Sequence, residues 1–173
     1  EAIAIWEVIA KSGSDDDAIR SARMLSSRGY REKAYELLKQ LAPNFSTDFV
    51  FLGRLCQEAL ASDHAEEAIP WMEQRIALAS APNDLSDALR QGSSILNKAK
   101  KTEEYRESLR AKQDTLSIAQ TCLLSELLER NGEHSAAESV LAPWMEKQNL
   151  LALHQRTRQL ETRHQWKEAA SVM

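Results

Sequence analysis

A small pattern returns six times along these 173 residues, in steps of 32 to 37. An alanine, or once a tyrosine (Ala2, Ala34, Ala68, Tyr105, Ala137, Ala169), stands four residues before a bulky apolar side chain (Trp6, Leu38, Met72, Leu109, Leu141, Met173). A period in this range predicts stacked helical hairpins, each burying its apolar face only against its neighbours. Such stacks serve as binding surfaces far more often than as catalysts.

Further columns align with the first. Nine residues before each of the last five alanine-type positions stands Leu25, Ala59, Leu96, Leu128 or Leu160. Twelve before stands a small residue, Ala22, Cys56, Ser93, Ser125 or Thr157, and sixteen before stands Ala18, Leu52, Leu89, Thr121 or Leu153. Spacings of three and four put these columns on one helical face. The small column predicts the place where a neighbouring helix approaches closely.

Short polar turns separate the two helices of each unit: Arg28-Gly29-Tyr30, Ser62-Asp63-His64, Lys100-Lys101-Thr102, Asn131-Gly132-Glu133 and Arg163-His164-Gln165. Gly29 and Gly132 suit the left-handed position that ends a helix. Ser14, Thr47-Asp48, Asn83-Asp84, Asp114 and Asn149 are expected to start first helices by capping free N–H groups. The reading is a helix over 1–11, hairpins 15–28/31–42, 48–61/64–79, 84–99/102–112 and 115–130/133–147, then helices 150–163 and 165–173. Pro70 and Pro143 should kink or shorten their helices; Pro43 and Pro82 fall in turns between units.

Composition supports this plan. Gly and Pro together number nine, and apolar residues make up 43%. Net charge is −4, which argues against a general nucleic-acid or anionic-membrane binder. No apolar run approaches the roughly 18 residues of a membrane span. Acid is uneven: residues 1–86 carry 9 basic and 14 acidic side chains, residues 87–173 carry 13 and 12. Cys56 and Cys122 lie in different units, too far apart in a stack for a disulfide; this fits a reducing compartment and favours the cytoplasm. The chain begins and stops inside a unit, so it reads as a piece of a longer protein, with any targeting segment expected outside it.

Signals for chemistry are sparse. No Gly-rich phosphate loop, His-Glu-x-x-His or Cys-x-x-Cys occurs. His64, His134 and His164 read as solvated turn residues, Cys56 as packing, and Glu66-Glu67 and Glu103-Glu104 as helix-start acids. No metal, cofactor or catalytic set is expected, and the chain reads as non-enzymatic. Trp71 and Trp144 share the string Pro-Trp-Met-Glu, which reads as tryptophan covering a proline-bent segment.

Gly29-Tyr30-Arg31-Glu32-Lys33-Ala34 and His164-Gln165-Trp166-Lys167-Glu168-Ala169 carry the turn and alanine chemistry of a known repeat. With the columns, they make nearly the whole chain resemble the tetratricopeptide repeat family. The 37-residue step and Tyr105 depart from its pattern, and its first-helix tryptophan is absent. The resemblance implies an all-α α-solenoid of antiparallel hairpins wound as a right-handed superhelix. It implies a repeat domain over 1–173: partial repeat 1–14, full repeats 15–47, 48–83, 84–114 and 115–148, partial repeat 149–173. It further implies that first helices line a concave groove, placing Arg20, Arg23, Arg54, Gln57, Arg90 and Gln91 toward a ligand.

The function so implied is a protein–protein interaction scaffold that binds a peptide or partner protein, an acidic one if the arginines contact it. The alternative is a substrate-presenting or regulatory repeat module of a larger enzyme, regulator or envelope export system. Apolar residues at the ends, Trp6, Ile9, Trp166 and Met173, are expected to promote end-to-end self-association.

Overall fold

The structure, a computed structural model, describes residues 13–172. The described residues are all-α, with ten α-helices and no strand. The helices are α1 (Asp15–Ser27), α2 (Arg31–Leu41), α3 (Phe49–Ala61), α4 (Ile69–Leu78), α5 (Pro82–Lys98), α6 (Thr102–Ala111), α7 (Ile118–Arg130), α8 (His134–Met145), α9 (Leu150–Thr162) and α10 (Trp166–Val172). The helix expected over 1–11, with Ala2, Trp6 and Ile9, lies outside the described residues, as does Met173.

Local chemistry starts the first helix of each hairpin. The Ser14 hydroxyl accepts from the Asp17 N–H while the Asp17 carboxylate accepts from the Ser14 N–H, a reciprocal capping box. The side chains of Asp48 and Asn149 each accept from two N–H groups of the turn they open. Two expected starts are corrected. The third hairpin opens on Pro82 itself, with no side-chain cap from Asn83 or Asp84; proline's fixed φ and missing N–H suit the first helical position. The fourth opens after Ser117, which forms a capping box with Gln120, while Asp114 lies in the preceding 3-10 turn.

The prolines act through the backbone hydrogen bonds they cannot make. Pro70 is the second residue of α4, which starts at Ile69 rather than at 64. It shortens the helix, because an N–H is dispensable in a first turn. Pro143 lies inside α8, which ends two residues later at Met145.

The hairpin turns repeat one geometry. Gly29, Asp63, Lys100, Gly132 and His164 all adopt positive φ, between 57° and 85°. In each case the next N–H returns to the carbonyl of Leu25, Ala59, Leu96, Leu128 or Leu160, at 2.8–3.0 Å. These acceptors are the leucine column read from sequence, so the column that buries a side chain also closes the helix end in a Schellman-type cap. Only two of the five left-handed positions are glycine; the other three bear the steric cost of a Cβ there, about 1–2 kcal/mol each.

The chain divides into two compact units, residues 1–75 and 76–173, with the boundary inside α4. In the first, α2 packs on both α1 and α3. Helices α3 and α4 run antiparallel: the Cys56 thiol lies 3.9 Å from the Ala68 carbonyl, while Arg75 Nε donates to the Phe49 carbonyl at 3.3 Å. Ala22, Leu25, Ala34, Tyr35, Leu38, Leu52, Leu55 and Met72 form the buried interior. Gly53 matters here because Arg75 lies across it: a Cβ would meet Nε at 2.8 Å.

In the second unit α7 is central. It packs against α5, α6, α8 and α9, and residues 121–128 are buried without a break. Helix α5 also packs on α9, so the three helices α5, α7 and α9 meet one another. The small column behaves as expected where it is apolar and where it is polar: Ala22, Ser93 and Ser125 are all buried. Thr157 and Leu153, at the last unit, are only half-buried. Both cysteines are buried and free. None of the described helices is long and apolar enough to cross a membrane.

Candidate functional site

The residues singled out for a ligand fall on three helices. Arg20 and Arg23 stand on α1, Arg54 and Gln57 on α3, and Arg90 and Gln91 on α5. The first four belong to the unit of residues 1–75, the last two to the other.

Within the first unit α1 and α3 run parallel. Ser26 Oγ donates to Glu58 Oε1 at 2.7 Å, an offset of 32 residues. One turn earlier on each helix, Arg23 and Arg54 come within electrostatic reach, an offset of 31. Nearly constant offsets in the same direction are what parallel helices give. Arg54 is half-buried; Arg20, Arg23 and Gln57 are exposed. Burial, and then the like charge of Arg23, push the Arg54 guanidinium below its ordinary pKa, opposed in part by Glu58.

No carboxylate forms an ion pair with Arg20, Arg23 or Arg54 among the described residues. The acids nearest to them are engaged elsewhere. Asp17, which feels the charge of Arg20, is held by the Ser14 backbone and hydroxyl, and these hydrogen bonds depress its pKa. Glu58 is buried and accepts from Ser26, while its Oε2 has no hydrogen-bond partner. Two cations within electrostatic reach of each other, neither held in an ion pair, attract an anionic ligand. Arg90 differs: its Nη2 pairs with Asp87 on its own helix. Gln91 is half-buried.

A second constellation escaped the sequence reading. His64 is not a solvated turn residue. Its ring stacks on buried Tyr35, centroids 4.5 Å apart, with Nδ1 2.9 Å from Glu67 and Nε2 2.9 Å from Glu32. Nor is Glu67 a helix-start acid, since α4 begins two residues beyond it. Tyr35 Oη and Lys39 Nζ donate to Glu67 at 2.9 and 2.6 Å. These bonds hold the Glu67 carboxyl down to about 2, with Lys39 contributing most. The hydrogen bond to Glu32 raises the His64 pKa most, followed, against burial, by that to Glu67. A signal was present: Glu32 to His64 and Tyr35 to Glu67 are both 32-residue offsets, the register of adjacent units.

The second unit spends its polar groups internally. Gln155 Nε2 donates to Glu126 at 2.9 Å, and Gln159 Nε2 donates to Ser125 Oγ at 2.8 Å, which itself donates to the Ala137 carbonyl. Arg163 pairs through two nitrogens with Glu129, and Arg156 with Glu138 at 2.6 Å. Both thiols are pushed up to about 12 by burial, which removes them as nucleophiles near neutral pH.

Trp71 is half-buried and meets Tyr35 edge-on at 6.2 Å; Trp144 is half-buried with Lys147 Nζ 5.4 Å from its ring. Trp166 is 60% exposed. Comparison with models of protein families, with curated proteins and with solved structures finds no match to this chain.

Proposed function

We propose that this chain is a non-catalytic interaction module of the tetratricopeptide type. Its hairpins coil as a right-handed α-solenoid, and an acidic peptide segment of a partner protein docks on α1 and α3. The repeat part of this reading is supported by five turns of one geometry closing on one sequence column, and by burial of Ala22, Cys56, Ser93 and Ser125 in the small column and of Ala34, Ala68, Ala137 and Ala169 in the alanine column. The ligand part is carried by one observation: Arg23 and Arg54 lie within electrostatic reach of each other, and neither is held in an ion pair among the described residues. Guanidinium groups bind carboxylates through paired, charge-assisted hydrogen bonds, and Gln57 adds a neutral donor and acceptor beside them.

The proposal narrows the ligand face expected from sequence. Arg90 and Gln91 are set aside, because the Arg90 guanidinium already has Asp87. The test is fluorescence anisotropy with a labelled peptide rich in Asp and Glu, titrated with the chain at low and high salt. Saturable binding that weakens with salt and disappears in Arg54→Glu supports the reading. Binding unchanged by Arg54→Glu, or none at low salt, refutes it. Small-angle scattering tests the solenoid separately: an elongated, curved particle is expected, and a compact one contradicts it.

A further inference from the structure

We propose that His64, Glu32 and Glu36 form a binding site for a first-row divalent cation, with zinc as the best fit. Glu32 and Glu36 are one turn apart on α2 and so share a face. His64 reaches that face from the following hairpin, and the ligand atoms of all three lie within 4.8 Å of one another. One imidazole nitrogen and two carboxylates carry a combined charge of −2 once the ring is neutral, which balances the ion. An imidazole among the donors favours zinc, cobalt or nickel over magnesium and calcium, which take oxygen.

The independent observation lies behind the histidine, outside the three donors. Metal-bound histidines usually donate their other ring N–H to a carboxylate, which fixes the tautomer and aims the free nitrogen. His64 has that arrangement. Nδ1 faces Glu67 at 2.9 Å, Glu67 is anchored by Tyr35 Oη and Lys39 Nζ, and the ring lies flat on Tyr35. With Nδ1 protonated toward Glu67, the lone pair of Nε2 points to Glu32 and Glu36. A solvated turn histidine needs no such support.

Without metal, Nε2 of His64 lies 2.9 Å from Glu32. On binding, the Nε2–metal bond forms through the ring lone pair, any proton on Nε2 leaves to solvent, and Glu32 turns from partner of the ring to ligand. No oxidation state changes. The charged and titratable groups facing the ring are Glu32, Glu36 and Glu67 with Tyr35 and Lys39 behind. Both thiols are buried and in the protonated form, so they do not compete as ligands.

Glu36 gives the decisive variant. Among the described residues it takes part in no hydrogen bond or ion pair, so Glu36→Gln leaves the metal-free network intact. Zinc chloride alone is titrated into the full chain near neutral pH by calorimetry. The expected result is one saturable site, weakened about 10-fold or more in Glu36→Gln and Glu67→Gln, abolished in His64→Gln, and unchanged in His134→Gln. Excess magnesium should not displace the zinc. Zinc binding of equal strength in Glu36→Gln and His64→Gln, or no saturable binding to the wild type, overturns the proposal. It stands apart from the peptide reading, since none of its residues is an arginine of α1 or α3.

Discussion

The two compact units carry polar side chains on their first helices at similar offsets, yet treat them oppositely. In the unit of residues 76–173, α7 is enclosed by four helices, and its polar residues must find partners or stay out. Ser125 and Glu126 find them on α9, in Gln159 and Gln155, and Glu129 finds Arg163 just past its end, two of these pairs 34 residues apart. In the unit of residues 1–75, Arg23 and Arg54 also come within electrostatic reach across first helices, but as like charges with neither in an ion pair. Buried polar groups cost too much to leave unpaired, whereas exposed cations are solvated and can wait for a ligand. The difference teaches where to look for function: the second unit pairs the polar groups of α7, whereas the first leaves Arg23 and Arg54 outside any ion pair.

The largest test of that contrast is packing. Ser125→Leu adds volume at a fully buried point and removes hydrogen bonds to Ala137 and Gln159, and should cost about 3 kcal/mol or more. Ala22→Leu at the matching column of the first unit adds volume alone and should cost about 1–3 kcal/mol. Urea denaturation measures both. Equal losses would mean that the buried network of the second unit contributes nothing beyond shape.

Charge deletion comes next. Arg163→Met leaves the mostly buried Glu129 carboxylate with His134 alone and should cost about 2 kcal/mol. Arg54→Met relieves repulsion with Arg23 and should change stability by less than about 0.5 kcal/mol in either direction. A marked loss from Arg54→Met would show that Arg54 is structural, and would break the comparison from the other side.

The units also differ in pH response. The His64 pKa is raised in the folded chain above its ordinary 6.5. Its contribution is therefore complete below about 6.5 and is lost as pH rises through the folded value. Burial alone would raise Glu129, but hydrogen bonds from Arg163 and His134 more than offset it and hold the carboxyl below 4.5. That contribution is present above about 4.5 and is lost as pH falls through the folded value. Thermal melts across pH should show His64→Gln flattening the alkaline side and Arg163→Met the acid side. Each variant changing the opposite limb would reverse the assignment.

The smallest effects sit in the turns, where both units are alike. Gly29→Ala should destabilise by about 1 kcal/mol, because its φ of +85° disfavours a Cβ. Lys100→Gly should be neutral or stabilising by up to about 1 kcal/mol, since Lys100 already bears that strain. Melting temperatures that move the other way would show that side-chain contacts, not backbone conformation, set these turns.

Much of the fold was legible because it is local. Capping by Ser14, Asp48 and Asn149 involves residues two or three apart, and the burial stripe follows from spacings of three and four. The misreadings had local chemistry too, but with rival claims. Asp114 and Asn83 have capping side chains, yet Ser117 with Gln120 and Pro82 at a first position won those starts. The repeat register set Arg20, Arg23, Arg54 and Gln57 at matching places of successive units, and the structure brings Arg23 and Arg54 within electrostatic reach. It missed the cluster around His64, where the partners Glu32, Tyr35 and Lys39 come from the preceding unit's second helix.

By itself the sequence determined the helices, their turns and which column of each is buried, since these depend on backbone hydrogen bonding and periodicity within about 35 residues. Only tertiary structure decided which charges were neutralised. Whether Arg54 meets Arg23 or an acid, whether Glu129 meets Arg163, and whether His64 is solvated or clasped between two carboxylates depends on how neighbouring helices are rotated and spaced. Coulomb and hydrogen-bond energies fall away within a few ångströms, so a rotation too small to disturb any column is enough to change the partner.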